Sequence, residues 1–272
     1  MRVALIMKRF HPRTVAVATL IGLIASSPAQ ATDLFGSGPL DLQAGGLVLV
    51  TPKYEGSNEY QVFGVPLVSP AGDNAFGFIQ FRGPEDLRFR VINYGGFEAG
   101  PLTGWRFDRD EDDADRLTGL GDVDGGIVLG GYAAYQFGFF KPFVSYSNQV
   151  TGDETGGLLR FGAEAPATDW NGIRFIAQAG ATWADDDYMD AFFSITEAQS
   201  IASGLSEYDA ESGIKDVYFG VNADMPLSDR WNLKVIGQYS RLIGDAADSP
   251  IVESENQFFG GLGLTYRFTI DS

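Results

Sequence analysis

The stretch Asn256 to Phe268 reads NQFFGGLGLTYRF, and its residues alternate. Phe258, Gly260, Leu262, Leu264, Tyr266 and Phe268 fall on one side of an extended chain. Gln257, Phe259, Gly261, Gly263, Thr265 and Arg267 fall on the other. A period of two is the signature of a strand, because successive side chains point to opposite faces. One face is apolar with aromatics toward its end; the other is small or polar. That is the pattern of a transmembrane β-barrel strand, with lipid outside and a lumen inside.

Working back from this strand, the chain offers eleven more candidates. They are Leu40 to Thr51, Val62 to Ser69, Phe76 to Arg82, Leu87 to Tyr94, Phe97 to Phe107 and Ile127 to Phe137, then Phe140 to Val150, Leu158 to Ala165, Ile173 to Trp183, Asp216 to Met225 and Asn232 to Leu242. Twelve is an even number, as bacterial barrels with both ends in the periplasm require. The connections also sort by parity. Every second one (70–74, 95–96, 138–139, 166–171, 226–231) is short, and the long acidic ones (108–122, 184–215, 243–255) fall on the other side. Short periplasmic turns and long external loops are what outer-membrane barrels show. The second, third and seventh candidates alternate poorly, so a count of ten stays open. A soluble β-sandwich or lipocalin-like barrel is the alternative, but continuous apolar faces on most strands would be odd there. The expected fold is thus all-β, a closed antiparallel transmembrane barrel.

Composition gives the address. Lys8, Arg9 and Arg13 precede an apolar run, Val15 to Ala25, and Ala29-Gln30-Ala31 is a small-residue cleavage site, so residues 1–31 read as a secretory signal cut after Ala31. The run is about half the roughly 20 residues a spanning helix needs. Cleavage leaves 32–272 as one barrel domain. It removes four of the 19 basic residues and none of the 36 acids, leaving a net charge of −21, and it removes the single histidine, His11. Such acidity argues against nucleic acid as a partner. With no cysteine there is no disulfide framework. Glycine accounts for 35 of 272 residues, nearly twice the ordinary share of roughly 7%, and after the signal no window holds 18 consecutive apolar residues. Gly and aromatics in short alternating runs point to many strands, and in a bilayer only a closed barrel satisfies every strand backbone group.

Chemistry is largely excluded. Ser–His and Asp–His mechanisms need an imidazole near neutral pH, and the mature chain has none. Asp185-Asp186-Asp187 offers a carboxylate pair, but the blander reading is a solvated turn whose side chains cap backbone groups. Asp108 to Asp122 holds seven acids and two arginines; it lacks the Gly and Glu positions of an EF-hand. It reads as a solvated acidic rim, with weak Ca²⁺ or Mg²⁺ capture toward lipopolysaccharide phosphates as the other reading. Without His or Cys a zinc or copper site is not expected, and Tyr54-Glu55-Gly56-Ser57 has one glycine and no following helix, so it is a tight loop, not a phosphate loop. No cofactor is expected. The side chains expected to line the lumen are Arg88, Arg90, Arg160, Glu164, Arg174, Gln178, Asp216, Asp224, Lys234 and Arg267, because they alternate with the apolar face. They form either a charge ladder that plugs the lumen or a narrow polar pore. Trp105, Trp183, Tyr239 and Tyr266 point outward as girdle residues at the lipid–water boundary.

Several motifs then accumulate in order: Tyr54-Glu55-Gly56-Ser57; Asp110-Glu111-Asp112-Asp113 leading to Gly119-Leu120-Gly121-Asp122; Trp183-Ala184-Asp185-Asp186; Gly213-Ile214-Lys215-Asp216-Val217; Asp229-Arg230-Trp231; Gly244-Asp245-Ala246-Ala247-Asp248-Ser249-Pro250; and Leu264-Thr265-Tyr266-Arg267-Phe268. Together they resemble the MipA/OmpV family of outer-membrane proteins over nearly the whole mature chain. The resemblance implies a non-enzymatic barrel in the Gram-negative outer membrane, surrounded by lipid and lipopolysaccharide. It also implies a scaffold linking a lytic transglycosylase to a penicillin-binding protein in peptidoglycan synthesis; porin-like and adhesin roles are the alternatives. It supplies no catalytic residues. Gly263, Tyr266 and Phe268 also resemble the C-terminal signal that presents outer-membrane barrels for insertion, with Thr269 to Ser272 following it here.

Overall fold

A computed structural model describes residues 40–70, 79–170 and 172–270. The strands are β1 (Leu40–Pro52), β2 (Tyr60–Pro70), β3 (Ile79–Gly83), β4 (Asp86–Phe89), β5 (Ile92–Tyr94), β6 (Phe97–Arg106), β7 (Gly126–Tyr135), β8 (Lys141–Gln149), β9 (Gly157–Trp170), β10 (Ile173–Ala184), β11 (Gly213–Pro226), β12 (Trp231–Leu242) and β13 (Asn256–Ile270). All belong to one antiparallel sheet ordered β2-β1-β13-β12-β11-β10-β9-β8-β7-β6-β4-β3, with β5 also on β6. The chain therefore meanders, each strand beside its sequence neighbour, and the first strand lies against the last, Leu42 opposite Phe268 and Val50 opposite Gly260. The two ends of the path, β2 and β3, are consecutive in sequence.

The sheet is strongly curled. Arg82 on β3 donates to Glu164 on β9 at 2.6 and 3.0 Å, although β4, β6, β7 and β8 lie between them. In a flat sheet five strand spacings would separate them by about 24 Å. Phe63 of β2 also meets Phe107, just past β6, with ring centroids 6.2 Å apart. The alternation read in β13 sets the faces. Leu262 is 59% exposed on the convex side and Thr265 is 1% exposed on the concave side.

Strand positions follow the expected ones, with two corrections. The strand expected over Leu87 to Tyr94 is broken into β4 and β5 at Arg90 and Val91, although Val91 N–H still bonds Ala99 O on β6. The turn expected at 166–171 is not there: β9 continues to Trp170, paired with β10 as far as Ile173. The β9–β10 register shifts at Pro166, between Ala165 opposite Ala177 and Thr168 opposite Phe175, and pairing resumes beyond it. The expected signal and cleavage site, residues 1–31, the expected turn at 70–74 beyond Pro70, and residues 76–78 of the expected third strand lie outside the described residues.

The acidic connections are not a solvated fringe. Short helices α1 (Asp186–Phe193), α2 (Glu197–Ser203) and α3 (Gly244–Asp248) fold there. Asp185 caps α1, its Oδ1 accepting from Tyr188 N–H at 3.0 Å. Tyr188, Met189, Phe192 and Phe193, at helical spacing, pack with Leu158, Ala184, Leu242 and Ala246. A second apolar cluster joins Tyr54, Leu117, Leu120, Ile195 and Ile251. The run 108–122 is thus corrected from rim to folded element. Its carboxylates bind backbone: Asp122 accepts from Glu111 N–H at 2.8 Å, and Glu111 accepts from Gly119 and Gly121. Three long connections, with the short 53–59 loop, so build a cap over one end of the sheet.

Candidate functional site

The concave face below this cap carries ionised side chains in linked pairs. Arg90 lies 3.8 Å from Glu98, Glu98 accepts from Lys141 at 3.0 Å, and Lys141 lies 3.1 Å from Glu164, which Arg82 grips with two nitrogens. Arg88 binds Asp86 through two nitrogens at 2.7 and 2.8 Å and stacks over the rings of Tyr132 and Phe143. Nearer the cap, Arg106 and Arg160 both face Glu85, at 3.1 and 3.6 Å. Lys215 binds Glu55 and, at 2.7 Å, Asp216, while Asp216 also accepts from Thr182. Paired opposite charges are the form in which ionised groups persist away from water.

Of the residues expected on this face, Arg88, Arg90, Arg160, Glu164 and Asp216 join these groups. Asp224 accepts from Lys234 at 2.6 Å and from Asn232, forming a separate pair toward the short-turn end. Gln178 reaches Gln238 at 3.4 Å. Arg174 sits opposite Asp224 in register, and Arg267 opposite Gln43; both are exposed at the short-turn end, away from the linked pairs. Gly263 lies against Leu47, where an added Cβ would be 2.2 Å from Cδ2. Tyr266 accepts from Arg230 and packs edge-on against Trp231, centroids 5.0 Å apart, with Phe268 exposed beyond it. Sequence reasoning missed Glu55, Arg82, Glu85, Asp86, Glu98, Arg106, Lys141 and Lys215. Several lay in alternating strands and were readable there; Glu55 and Glu85 sit in turns and reach their partners across distant chain.

The cap is locked to this face through Tyr188. Its hydroxyl donates to Glu55 at 2.9 Å, and its ring lies 4.7 Å from the Arg106 guanidinium and 5.5 Å from the Lys215 ammonium. Burial, reinforced by Glu55, holds the Tyr188 phenol well above its usual range. Tyr54 behaves alike, raised by burial and by its bond to Glu253. Both stay protonated donors at any physiological pH.

Arg109 differs. It is buried in the cap, donates Nη1 to Phe192 O at 3.1 Å and stacks on the Phe192 ring, and its Nε has no partner. Burial pushes its pKa down to about 10 from 12.5. A folded value below the unfolded one means that the charge opposes folding. The penalty is fully present below about pH 10 and fades as pH rises toward 12.5. Replacing a poorly compensated buried charge by an apolar side chain is often stabilising. Arg109→Met should raise cap stability by about 1 kcal/mol at neutral pH. Slower proteolysis of the refolded variant within 107–125 would show it; faster proteolysis would refute it.

The molecule turns its apolar side chains outward. Val48, Val62, Leu129, Phe219 and Leu262 are exposed on the convex face, while the concave face is charged and the apolar cores sit in the connections. An outward apolar band around a polar interior defines an outer-membrane β-barrel protein. The family model described as "MltA-interacting protein MipA" matches residues 44–268, and the chain belongs to that family. Outer membrane protein Omp26La of Vibrio anguillarum is 26% identical over 181 residues, covering 65% of this chain and 66% of that protein. Outer membrane protein OmpV of Vibrio cholerae serotype O1 is 25% identical over 186 residues, with the same shares. The match thus spans 66% of the length of both relatives. Among solved structures, the anion-selective porin from Comamonas acidovorans is 13% identical with a TM-score of 0.31, over 84% of this chain and 98% of that one. The protein is an outer-membrane protein.

Proposed function

We propose that this protein is a closed, twelve-strand outer-membrane barrel that works as a non-enzymatic docking platform for a peptidoglycan-remodelling enzyme. The partner is a lytic transglycosylase, the protein that the family description names, with a penicillin-binding protein as a second. Counting β4 and β5 as one strand, since both pair with β6, gives twelve, and a seam between β2 and β3 completes the ring. The observation that carries the reading is the inner face. The Arg82–Glu164 contact spans from β3 to β9 and paired charges fill the wall, with a packed cap above. A barrel so filled suits a rigid platform better than a conduit.

The docking face would be the periplasmic end. Its turns are short, but Tyr94, Phe137, Phe139, Leu227 and Trp231 are exposed there, and aromatic anchors dominate interface energetics. A stable interface buries about 800 Å² per partner, so the turns must act together. The test is retention of a purified lytic transglycosylase on the refolded, immobilised barrel. Phe139→Ser should weaken it about tenfold, the ~1.4 kcal/mol scale of one anchor. No retention by the folded wild-type barrel, together with a stable ohmic conductance in planar bilayers, would replace the platform with a channel.

A further inference from the structure

The inner wall holds a carboxylate supplied by the tight turn between two neighbouring strands. Glu85 lies in the two-residue turn between β3 and β4, and this turn rests against Gly104 of β6, where an added Cβ would be 2.3 Å from Pro84 O. Two guanidinium groups from separate strands converge on it. Arg106 of β6 presents Nε and Nη2 at 3.3 and 3.1 Å, and Arg160 of β9 approaches to 3.6 Å.

Arg106 is held independently of Glu85. Its Nη1 donates to Thr155 O, Thr155 Oγ1 and Gly156 O, at 2.7, 3.1 and 3.0 Å, and its face lies on Tyr188. The edge aimed at Glu85 is therefore fixed in the fork geometry that matches two carboxylate oxygens. The neighbouring acids are already engaged, Asp86 by Arg88 and Asp216 by Lys215 and Thr182. Two cations thus share one carboxylate, and that carboxylate hangs from a turn. The site is not sealed, since the Arg160 and Glu85 side chains are 24% and 16% exposed.

We propose that Arg106 and Arg160 form a binding site for a small carboxylate-bearing solute, and that Glu85 occupies it as an internal stand-in. A solute would bind by displacing the 84–85 turn, with its carboxylate on the Nε–Nη2 edge of Arg106 and its remaining charge balanced by Arg160. This assignment concerns the inner wall alone and stands whether or not a partner docks at the periplasmic end.

The experiment is calorimetric titration of refolded, detergent-solubilised protein with sodium acetate and sodium glutarate at constant ionic strength. Glu85→Ala should bind both probes at least about tenfold more tightly than wild type, as expected when an occupying group is removed, and Glu85→Ala combined with Arg160→Gln should lose that gain. Glu85→Gln, which keeps the shape of the turn, serves where the alanine variant does not refold. The assignment is overturned by a folded variant, with wild-type strand signal and heat-modifiable migration, that takes up neither probe. It is equally overturned by binding that persists without Arg160, or by uptake of inorganic phosphate alone.

Discussion

Gly130→Ala should leave almost no folded protein, whereas Gly131→Ala, one residue along the same strand, should fold normally. A Cβ on Gly130 would lie 1.8 Å from the carbonyl oxygen of Tyr146 and 2.8 Å from the Cα of Ser147, both backbone atoms of β8. Gly130 is paired with Ser147 across the β7–β8 ladder, so the methyl group cannot be accommodated by a side-chain rotation. The two strands must separate where their hydrogen bonds define the register. Overpacking costs about 1–3 kcal/mol where side chains can yield; here the ladder has to yield, and a loss of about 3 kcal/mol or more is expected. At Gly131 the nearest atom would be Gly100 O at 3.6 Å, an ordinary contact. The heat-modifiable fraction after refolding measures both. Equal refolding of the two variants would show that β7 and β8 do not approach as described.

That contrast bears on what a sequence discloses. Two adjacent glycines look alike in the chain, and only the approach of β8 separates them. Alternation was different. Each strand of a membrane barrel must put apolar atoms in lipid, so period two survives in the sequence, and the faces of β13 were readable from thirteen letters. The break at Arg90–Val91 and the run of β9 through Pro166 were not readable, because pairing with neighbouring strands decided them against local turn and breaker signals. The cap was half legible. Tyr188, Met189, Phe192 and Phe193 have helical spacing, and Leu117 and Leu120 lie three apart within the acidic run. Their charged surroundings hid them, since the same acids that suggested solvent are bonded to backbone amides.

The inner site divides the same way. Arg88, Arg160 and Asp216 were found because strand parity fixes which face a residue occupies. Glu55 and Glu85 were not, because a turn residue has no parity. Glu55 meets Lys215, 160 positions away, and Glu85 meets Arg160 only after the sheet has curled. Long-range ion pairs of this kind are a consequence of the curl of the sheet, and the charges themselves carry no mark of which will meet.

Lys215→Met should detach the cap while leaving the strands assembled. Lys215 is buried, bonded to both Glu55 and Asp216, and lies beneath the Tyr188 ring. Its removal leaves two carboxylates facing each other below α1, with Tyr188 and Thr182 as their remaining donors. Breaking a buried pair by removing one partner costs about 3–5 kcal/mol. Glu55 is 26% exposed and water will screen it, so about 3 kcal/mol is expected. The strain falls on Tyr188, because its hydroxyl holds Glu55 and its ring has lost one of two cations. Local opening of α1 should therefore become roughly 100-fold more frequent, the factor that about 3 kcal/mol represents. Amide hydrogen exchange within 186–193 should speed up by that factor, and exchange in β11 and β12 below the cap should change little. A triple variant, Lys215→Met with Glu55→Gln and Asp216→Asn, should recover most of the protection, since the uncompensated carboxylates and not the missing ammonium cause the loss. If Lys215→Met alone leaves exchange in α1 unchanged, the cap is held by its two apolar clusters and the ion pairs beneath it are incidental to its closure.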